Sequence, residues 1–355
     1  MLLATRNMAI GDNNRLIDKG YELLESRLPE GWNAELSKQV EGGEAYIWIT
    51  APDHKRISIV VEAKTKLDPR QALEFARSSR AGEPRLIIAS YLSPATRERL
   101  AEAGVSFLDL TGNARVVLSR PGLFIDTGGV DVDPNSVPRP SRSLRGSKAG
   151  RVVRALIDTR SPGGVRDIAA QAGVDPGYVS RVLSLLDREA VIERGGRGKI
   201  TSVDWLRLLR RWAEDAPLES RGAQVTCLDP RGVSALLDRI SDADSNGQPG
   251  YAVTGSFVAS KFAPVSAPRL ITIYVRRTDH VIKDLGLRRV DAGANVLLIE
   301  PEDDGVFSGT RQDGTVRCVA LSQASADLLG SPGRGPADGE ALLEWMKEHE
   351  EVWRG

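Results

Sequence analysis

Residues 165–186, VRDIAAQAGVDPGYVSRVLSLL, contain the most specific structural pattern in this chain. Its first eight residues have a short helical pattern, and Gly173 follows them where a left-handed turn needs no side chain. Asp175 then provides a helix N-cap, and Pro176 takes the first helical position, where the missing N–H costs nothing. Four apolar residues continue at helical spacing, namely Val179, Val182, Leu183 and Leu186. The stretch therefore predicts two helices joined by a tight turn.

One more helix is predicted before this pair and a hairpin after it. Lys148–Asp158 has an apolar face at helical spacing, and Gly163 and Gly164 separate it from the stretch above. The hairpin has strand patterns at Val191–Arg194 and Lys199–Thr201 around a turn rich in glycine. Three helices followed by such a hairpin are the order of a winged helix-turn-helix, so we expect that fold in the middle third of the chain.

The third helix of this unit has a polar face opposite its apolar stripe. Hydroxyl, phenol and guanidinium groups on such a face reach phosphates and base edges in a major groove, and cations on the hairpin reach the neighbouring backbone. The predicted DNA-binding residues are Arg166, Tyr178, Ser180, Arg181, Ser184, Arg188, Arg197 and Lys199. A winged helix used only for protein contacts is the alternative that the pattern leaves open.

The charge of the chain is unevenly distributed. Formal net charge is zero, yet the segment from Arg139 to Arg211 holds 16 Lys or Arg against 7 Asp or Glu, a surplus of 16 − 7 = 9. The rest of the chain must therefore carry a net charge of −9. A basic block between acidic flanks is typical of nucleic-acid binding, because neutralising phosphates supplies most of the non-specific affinity. Double-stranded DNA is the expected partner.

Length and composition indicate three domains in a protein without metal or cofactor. The 355 residues exceed one core, and the proline-rich stretch Asp131–Ser143 is a predicted linker. We expect domains at residues 1–133, 144–215 and 218–355. The two cysteines, Cys227 and Cys318, are 91 residues apart and lack metal-site spacing. No stretch is apolar enough to cross a membrane or to resemble a signal peptide, so a cytoplasmic location without membrane binding is expected.

The first predicted domain alternates strand and helix patterns, with a hairpin formed by Tyr46–Thr50 and Ile57–Ala63. Glu62 and Lys64 resemble the ExK half-motif of the restriction-endonuclease-like fold, in which a further carboxylate completes a Mg²⁺ site. Pairing the hairpin through its turn places Tyr46 where that carboxylate is needed. Glu44 and Asp53 would need a shifted register. We therefore expect an inactive domain of this fold, with Glu62 and Lys64 as the candidates if the protein is a nuclease.

The third predicted domain begins with a helix at Tyr251–Ser260 and a buried strand at Leu270–Val275. The pair Gly255 and Ser256 resembles the turn with which nucleotidyltransferases hold triphosphate. Their catalysis needs two carboxylates on the next strand, and LITIYV contains none, since Asp279 lies beyond its end. A degenerate nucleotidyltransferase-like α/β domain is expected. The predicted fold class is thus α/β plus α+β, and the protein is expected not to be an enzyme.

A resemblance to one family touches all three segments. VSFLDLTGNA, residues 105–114, resembles the signature of AbiEi-family antitoxins of type IV toxin–antitoxin systems and their regulator relatives. Residues 251–259 and 328–336 resemble the C-terminal part of the same relatives. The resemblance implies transcriptional autoregulation through the winged helix, and in some members neutralisation of a nucleotidyltransferase toxin. We expect a bacterial transcriptional regulator; an antitoxin and a metal-dependent nuclease are the alternatives. A protein partner, either a toxin or the transcription machinery, and a homodimer stay open.

Overall fold

The computed structural model describes residues 2–38, 45–78, 84–135, 143–242, 250–263 and 268–355, without the side chains of residues 2–12, 197, 241 and 242. The chain forms two compact units. One comprises Met1–Ser141 and Arg188–Ala190, and the other comprises Arg142–Asp187 and Val191–Gly355. Both units contain helices and a seven-stranded sheet, so the protein is of mixed α/β architecture.

The described part of the first unit contains three helices and the strands of one sheet. The helices are α1 (Leu2–Glu25), α2 (Pro69–Ser78) and α3 (Pro94–Glu102). The strands are β1 (Asn33–Ser37), β2 (Ala45–Thr50), β3 (Arg56–Lys64), β4 (Arg85–Ala89), β5 (Ser106–Asp109), β6 (Ala114–Ser119) and β7 (Gly122–Thr127). They lie side by side in chain order. The pairs β3–β4 and β4–β5 are parallel, and the outer pairs are antiparallel.

Strand β4 lies at the centre of a three-layer arrangement. Leu86 and Ile88 are fully buried on the side that α1 covers. Ile87 and Ala89 are fully buried on the opposite side, beneath α2 and α3. Successive strand residues point to opposite faces, so a run of four apolar residues is what a strand covered on both faces requires.

The predicted hairpin is present, with Tyr46 opposite Val60 in a regular register. Strands β1 and β7 were not predicted. Both lie at the edges of the sheet and alternate buried with exposed residues, and a polar edge strand gives only a slight apolar signal.

The loop between β5 and β6 is built around the buried carboxylate of Asp109. Its Oδ1 accepts hydrogen bonds from the backbone N–H groups of Thr111 and Asn113, at 2.9 and 3.1 Å, and from the Thr111 hydroxyl at 2.7 Å. Its Oδ2 accepts from the backbone N–H of Leu92 and from Asn113 Nδ2, both at 2.9 Å. Five donors thus use both carboxylate oxygens, and the residues that resemble the antitoxin signature close this loop.

We predict that Asp109→Asn lowers the free energy of unfolding of the first unit by about 2–3 kcal/mol, because the new amide opposes buried donors with donors of its own. Denaturant titration of the full chain measures the change. Asp126→Asn is the matched control: that carboxylate is exposed in an ion pair with Arg115, so its loss should cost less than about 1 kcal/mol. Equal effects of the two variants would contradict the structural role of Asp109.

The second unit begins with a set of helices around a short hairpin. The helices are α4 (Ser147–Ile157), α5 (Val165–Ala172), α6 (Pro176–Arg188) and α7 (Trp205–Asp215), and the hairpin strands are β8 (Ile192–Arg194) and β9 (Ile200–Val203). Arg188, the last residue of α6, groups with the first unit together with the two residues that follow it. The helices and strands predicted in this part of the chain are present, with bounds that differ by a few residues.

The rest of the second unit is a seven-stranded sheet with helices. The strands are β10 (Gly222–Leu228), β11 (Tyr251–Thr254), β12 (Ile271–Val275), β13 (Arg288–Arg289), β14 (Val296–Pro301), β15 (Arg311–Asp313) and β16 (Val316–Cys318). The helices are α8 (Val233–Asp242), α9 (Ser256–Ala259), α10 (Thr278–Leu285), α11 (Leu321–Leu329), α12 (Gly335–Glu348) and α13 (Glu350–Trp353). The order in the sheet is β13-β10-β14-β12-β11-β16-β15.

The prediction of a helix over Tyr251–Ser260 was wrong. Its first half is strand β11, antiparallel to β12 with Tyr251 opposite Val275, and only Ser256–Ala259 is helical. The short apolar run before Gly255 fits a buried strand as well as a helix, and only pairing with a segment twenty residues further on separates the two.

One hydrophobic core continues from α4 through α7 into the C-terminal sheet and α12. Residues 144–215 and 218–355, which the sequence indicates as separate domains, share this core. Contacts at the C-terminus reinforce it: Trp205 Nε1 donates to Glu350 Oε1 at 2.6 Å, and the ring of Trp205 meets Trp353 edge-on with 5.0 Å between centroids. None of the described helices has the length and apolar content needed to span a bilayer.

Candidate nucleic-acid interface

The turn between α5 and α6 is set by three consecutive residues. Gly173 ends α5 in the left-handed region, with φ 59° and ψ 41°. Val174 is buried, and its N–H donates to Ala169 O at 3.1 Å. Asp175 Oδ1 accepts from the backbone N–H groups of Gly177 and Tyr178, at 2.9 and 3.1 Å. These contacts fix the direction in which α6 leaves the turn.

Helix α6 has one buried and one exposed face. Val179, Leu183 and Leu186 have no solvent exposure, and Val182 is 7% exposed. The predicted contact residues Ser180, Arg181, Ser184 and Arg188 are exposed. The Ser184 hydroxyl donates to Ser180 O at 2.8 Å, so within the protein this donor satisfies the helix backbone. The polar face is therefore available at the surface over two turns of the helix.

Tyr178 begins this face and is half-buried. Burial raises the pKa of its hydroxyl, and the nearby Arg181 charge opposes the rise. The Arg181 guanidinium carbon lies 5.7 Å from the centroid of the Tyr178 ring, a cation–π distance one helical turn along. The phenol is neutral at physiological pH and can donate a hydrogen bond, while the ring limits the positions of the Arg181 side chain.

The hairpin β8–β9 is attached to the helices by backbone hydrogen bonds. Ile200 N donates to Gly163 O at 2.9 Å, and Asp204 N donates to Val191 O at 2.8 Å. Lys199 is exposed just before β9, and Arg166 is exposed on α5. The side chain of Arg197 lies outside the described residues. The structure thus places Arg166, Lys199 and the α6 residues at the surface of one set of packed elements.

The basic surplus of this segment divides into two groups. Arginines on α4 and α7 are used in ion pairs with nearby acids: Arg151 with Asp303, Arg154 with Asp158, Arg207 with Asp204, Arg210 with Glu340, and Arg211 with Asp215. The net charge that is counted from the sequence does not distinguish these paired cations from the exposed ones. Arg166 on α5, Arg181 on α6 and Lys199 beside the hairpin are exposed, whereas Arg194 on the hairpin pairs with Asp187 of α6.

The nuclease candidates Glu62 and Lys64 lie on β3 and pair with each other, with 2.6 Å between Lys64 Nζ and Glu62 Oε1. Asp53 lies in the turn at the other end of the hairpin, about 20 Å from Glu62 along β3, and pairs there with Lys55. Glu44 lies outside the described residues. Within the described part of the chain, no three His, Cys, Asp or Glu side chains are grouped to hold a metal.

Two buried carboxylates on helices beside the C-terminal sheet line one cavity, and the sequence analysis missed both. Asp327 on α11 accepts from the Thr254 hydroxyl at 2.6 Å, and Asp338 on α12 accepts from the Ser256 hydroxyl at 2.7 Å. Both line a 520 Å³ cavity beside Gly255. Burial raises the pKa of Asp327, against the charge of Arg221 and the hydrogen bonds that it accepts. The sequence signal that could have revealed Asp327 is an acidic residue within the largely apolar stretch of α11.

Comparisons with known proteins add little to this description. No protein-family model matches the chain, and no curated protein matches it. A solved structure described as EndoMS in apo form aligns at 17% identity over 28% of this chain and 45% of that chain, with a TM-score of 0.19. A likeness of that size supports no assignment, and the site is therefore argued from its own geometry.

The cap at Asp175 gives a testable prediction. Asp175→Ala removes the acceptor for two N–H groups at the start of α6, so the free energy of unfolding of the second unit should fall by about 1 kcal/mol. Asp175→Asn keeps an acceptor at the cap and should restore most of that loss. Tryptophan fluorescence during urea titration measures both variants. Identical losses for Ala and Asn would show that the cap does not stabilise α6.

Proposed function

We propose that α4–α7 with the β8–β9 hairpin are a winged helix-turn-helix and that the protein is a DNA-binding transcriptional regulator. The observation that carries the proposal is the exposed face of α6 with Ser180, Arg181 and Ser184, held by the capped turn before it. The major groove of DNA is wide enough for one α-helix. Helix α6 can therefore contact base edges there only through side chains that project from the protein, as these do.

The position of charge supports DNA over a protein partner for this face. Arg166, Arg181 and Lys199 are exposed on the elements that a winged helix presents to duplex DNA, whereas the arginines on α4 and α7 are neutralised by acids. Phosphate contacts need such exposed cations, and an isolated cationic face gains little from burial against a neutral protein surface.

Within this class of protein we propose a relationship to the AbiEi-family regulators. The stretch 105–114 that carries the resemblance uses its polar groups inside the fold, where Asp109 and Asn113 close the β5–β6 loop. A stretch with a folding role supports a shared fold and gives no support for contact with a toxin. Regulation is therefore the favoured function, and an antitoxin role stays an alternative.

The main prediction is that Arg181→Ala weakens binding to a selected DNA site by about 1–3 kcal/mol, roughly fivefold to 150-fold, if Arg181 contacts a base edge. A site is first selected from a randomised duplex library with the full chain, and fluorescence anisotropy then measures affinity. Binding to scrambled duplex should change much less, because phosphate contacts dominate there.

A second variant separates base contacts from phosphate contacts. Lys199→Ala should weaken selected and scrambled duplexes alike and reduce the salt slope of log K by about 0.9. Arg288→Ala removes an exposed arginine far along the chain on β13 and is the control, with affinity expected to be unchanged. Failure to enrich any sequence, or unchanged affinity in both Arg181→Ala and Lys199→Ala, would overturn the proposal. Mg²⁺-dependent cleavage that Lys64→Ala abolishes would favour the nuclease alternative.

A further inference from the structure

The cavity beside Gly255 lies within the second unit, where β12 meets α11 and α12. Its volume of 520 Å³ is within the range of about 300–1,000 Å³ that is typical of small-molecule sites. Part of its wall is apolar and is formed by Leu218, Leu270, Leu297, Leu328 and Pro332. Leu270 is 40% exposed, so a hydrocarbon group in the cavity would remove apolar surface from water.

The carboxylate of Asp338 is the unusual polar group of this cavity. Asp338 is 6% exposed, and its Oδ2 accepts a hydrogen bond from the Ser256 hydroxyl at 2.7 Å. Its Oδ1 keeps accessible surface and has no partner among the described residues. The buried carboxylates of Asp109 and Asp327 instead use both oxygens, with several donors each. A buried carboxylate with one neutral donor is costly, so Asp338 calls for a further donor, and a cationic donor binds most strongly.

A hydroxyl group in the cavity also has no partner. Thr272 on β12 lines the cavity and is 8% exposed, and within the described part of the chain nothing donates to its hydroxyl or accepts from it. Thr254, opposite Thr272 on β11, instead donates to Asp327, and the charge of Asp327 is balanced by Arg221 at 3.3 Å. Asp338 and Thr272 are therefore the acceptors that this cavity offers to a ligand.

Two arginines contribute positive charge to the same cavity. Arg334, at the start of α12, and Arg269, just before β12, both line it. Both are exposed, and neither has an ion pair or hydrogen bond to another described side chain. Arg334 and Asp338 are four residues apart, so they are neighbours along the helix, yet they do not pair with each other. Their opposite charges can therefore hold opposite ends of one small molecule.

We propose that this cavity binds an α-amino acid with an apolar side chain. Its ammonium group has three donors, which suit Asp338 Oδ1 and the Thr272 hydroxyl. Its carboxylate is held by Arg334, because the donors of a guanidinium group match two carboxylate oxygens, and the positive end of the α12 dipole lies on the same side. Its hydrocarbon group packs against the leucines of the wall. This inference does not rest on DNA binding.

The test uses the full chain and L-leucine, with two analogues that each lack one charged group. These are 4-methylpentanoate, which has no ammonium group, and 3-methylbutylamine, which has no carboxylate. Isothermal titration calorimetry measures the dissociation constants at constant ionic strength. Saturable binding of L-leucine is expected, with each analogue at least about tenfold weaker because it leaves one set of charged partners unused.

Two variants assign the charged ends of the ligand. Asp338→Asn keeps an acceptor for Ser256 and should weaken L-leucine binding at least about tenfold, with little change for 4-methylpentanoate. Arg334→Ala removes an exposed side chain and should weaken L-leucine binding at least about fivefold, with little change for 3-methylbutylamine. Arg288→Ala, at an exposed position on β13, is the control and should change neither affinity.

Four results would overturn the proposal. Absence of saturable binding by both L-leucine and L-phenylalanine would leave ordered water as the occupant. Equal binding of L-leucine and its two analogues, or unchanged affinity in Arg334→Ala, would show that the charged groups do not select the ligand. Tighter binding of AMP, lost in Asp338→Asn, would assign the cavity to a nucleotide. Circular dichroism checks the fold of each variant, and Arg334→Ala with the analogues decides the matter if Asp338→Asn does not fold.

Discussion

The packing of α4 and α7 against the C-terminal half is the contact on which the second unit depends. Gly150 permits it, since a Cβ at that position would lie 3.0 Å from Cζ2 of the buried Trp212 ring. Gly330 has the same role between α11 and the end of α7, where a Cβ would lie 2.9 Å from Pro217 Cα. Two close approaches therefore join elements that would otherwise need separate cores.

This packing has a consequence for the proposed DNA contact. The chain ends against the helices: Arg354 Nε donates to Ile157 O at 2.8 Å, and Arg154 ties α4 to the loop after β14. A helix module fixed in this way presents α6 from a rigid support, which reduces the entropy lost when it docks on a partner.

Within each unit, buried polar groups fix the arrangement of segments that apolar packing alone would not specify. Asp109 satisfies five donors in the first unit, and Asp327 accepts three hydrogen bonds in the second. A buried carboxylate with several hydrogen-bond donors favours one arrangement of the chain around it. Any other arrangement would leave the buried charge without hydrogen-bond partners.

Local features of this protein could be predicted from its amino-acid sequence. The bounds of α5, the left-handed Gly173 and the cap at Asp175 follow from residues within one or two turns, so they could be predicted. Tertiary structure alone decided that Tyr251–Thr254 is a strand, that the arginines of α4 and α7 are neutralised, and that Arg221 borders a cavity. Each of these features depends on contacts with residues far away in the chain, and the local sequence pattern does not specify those residues.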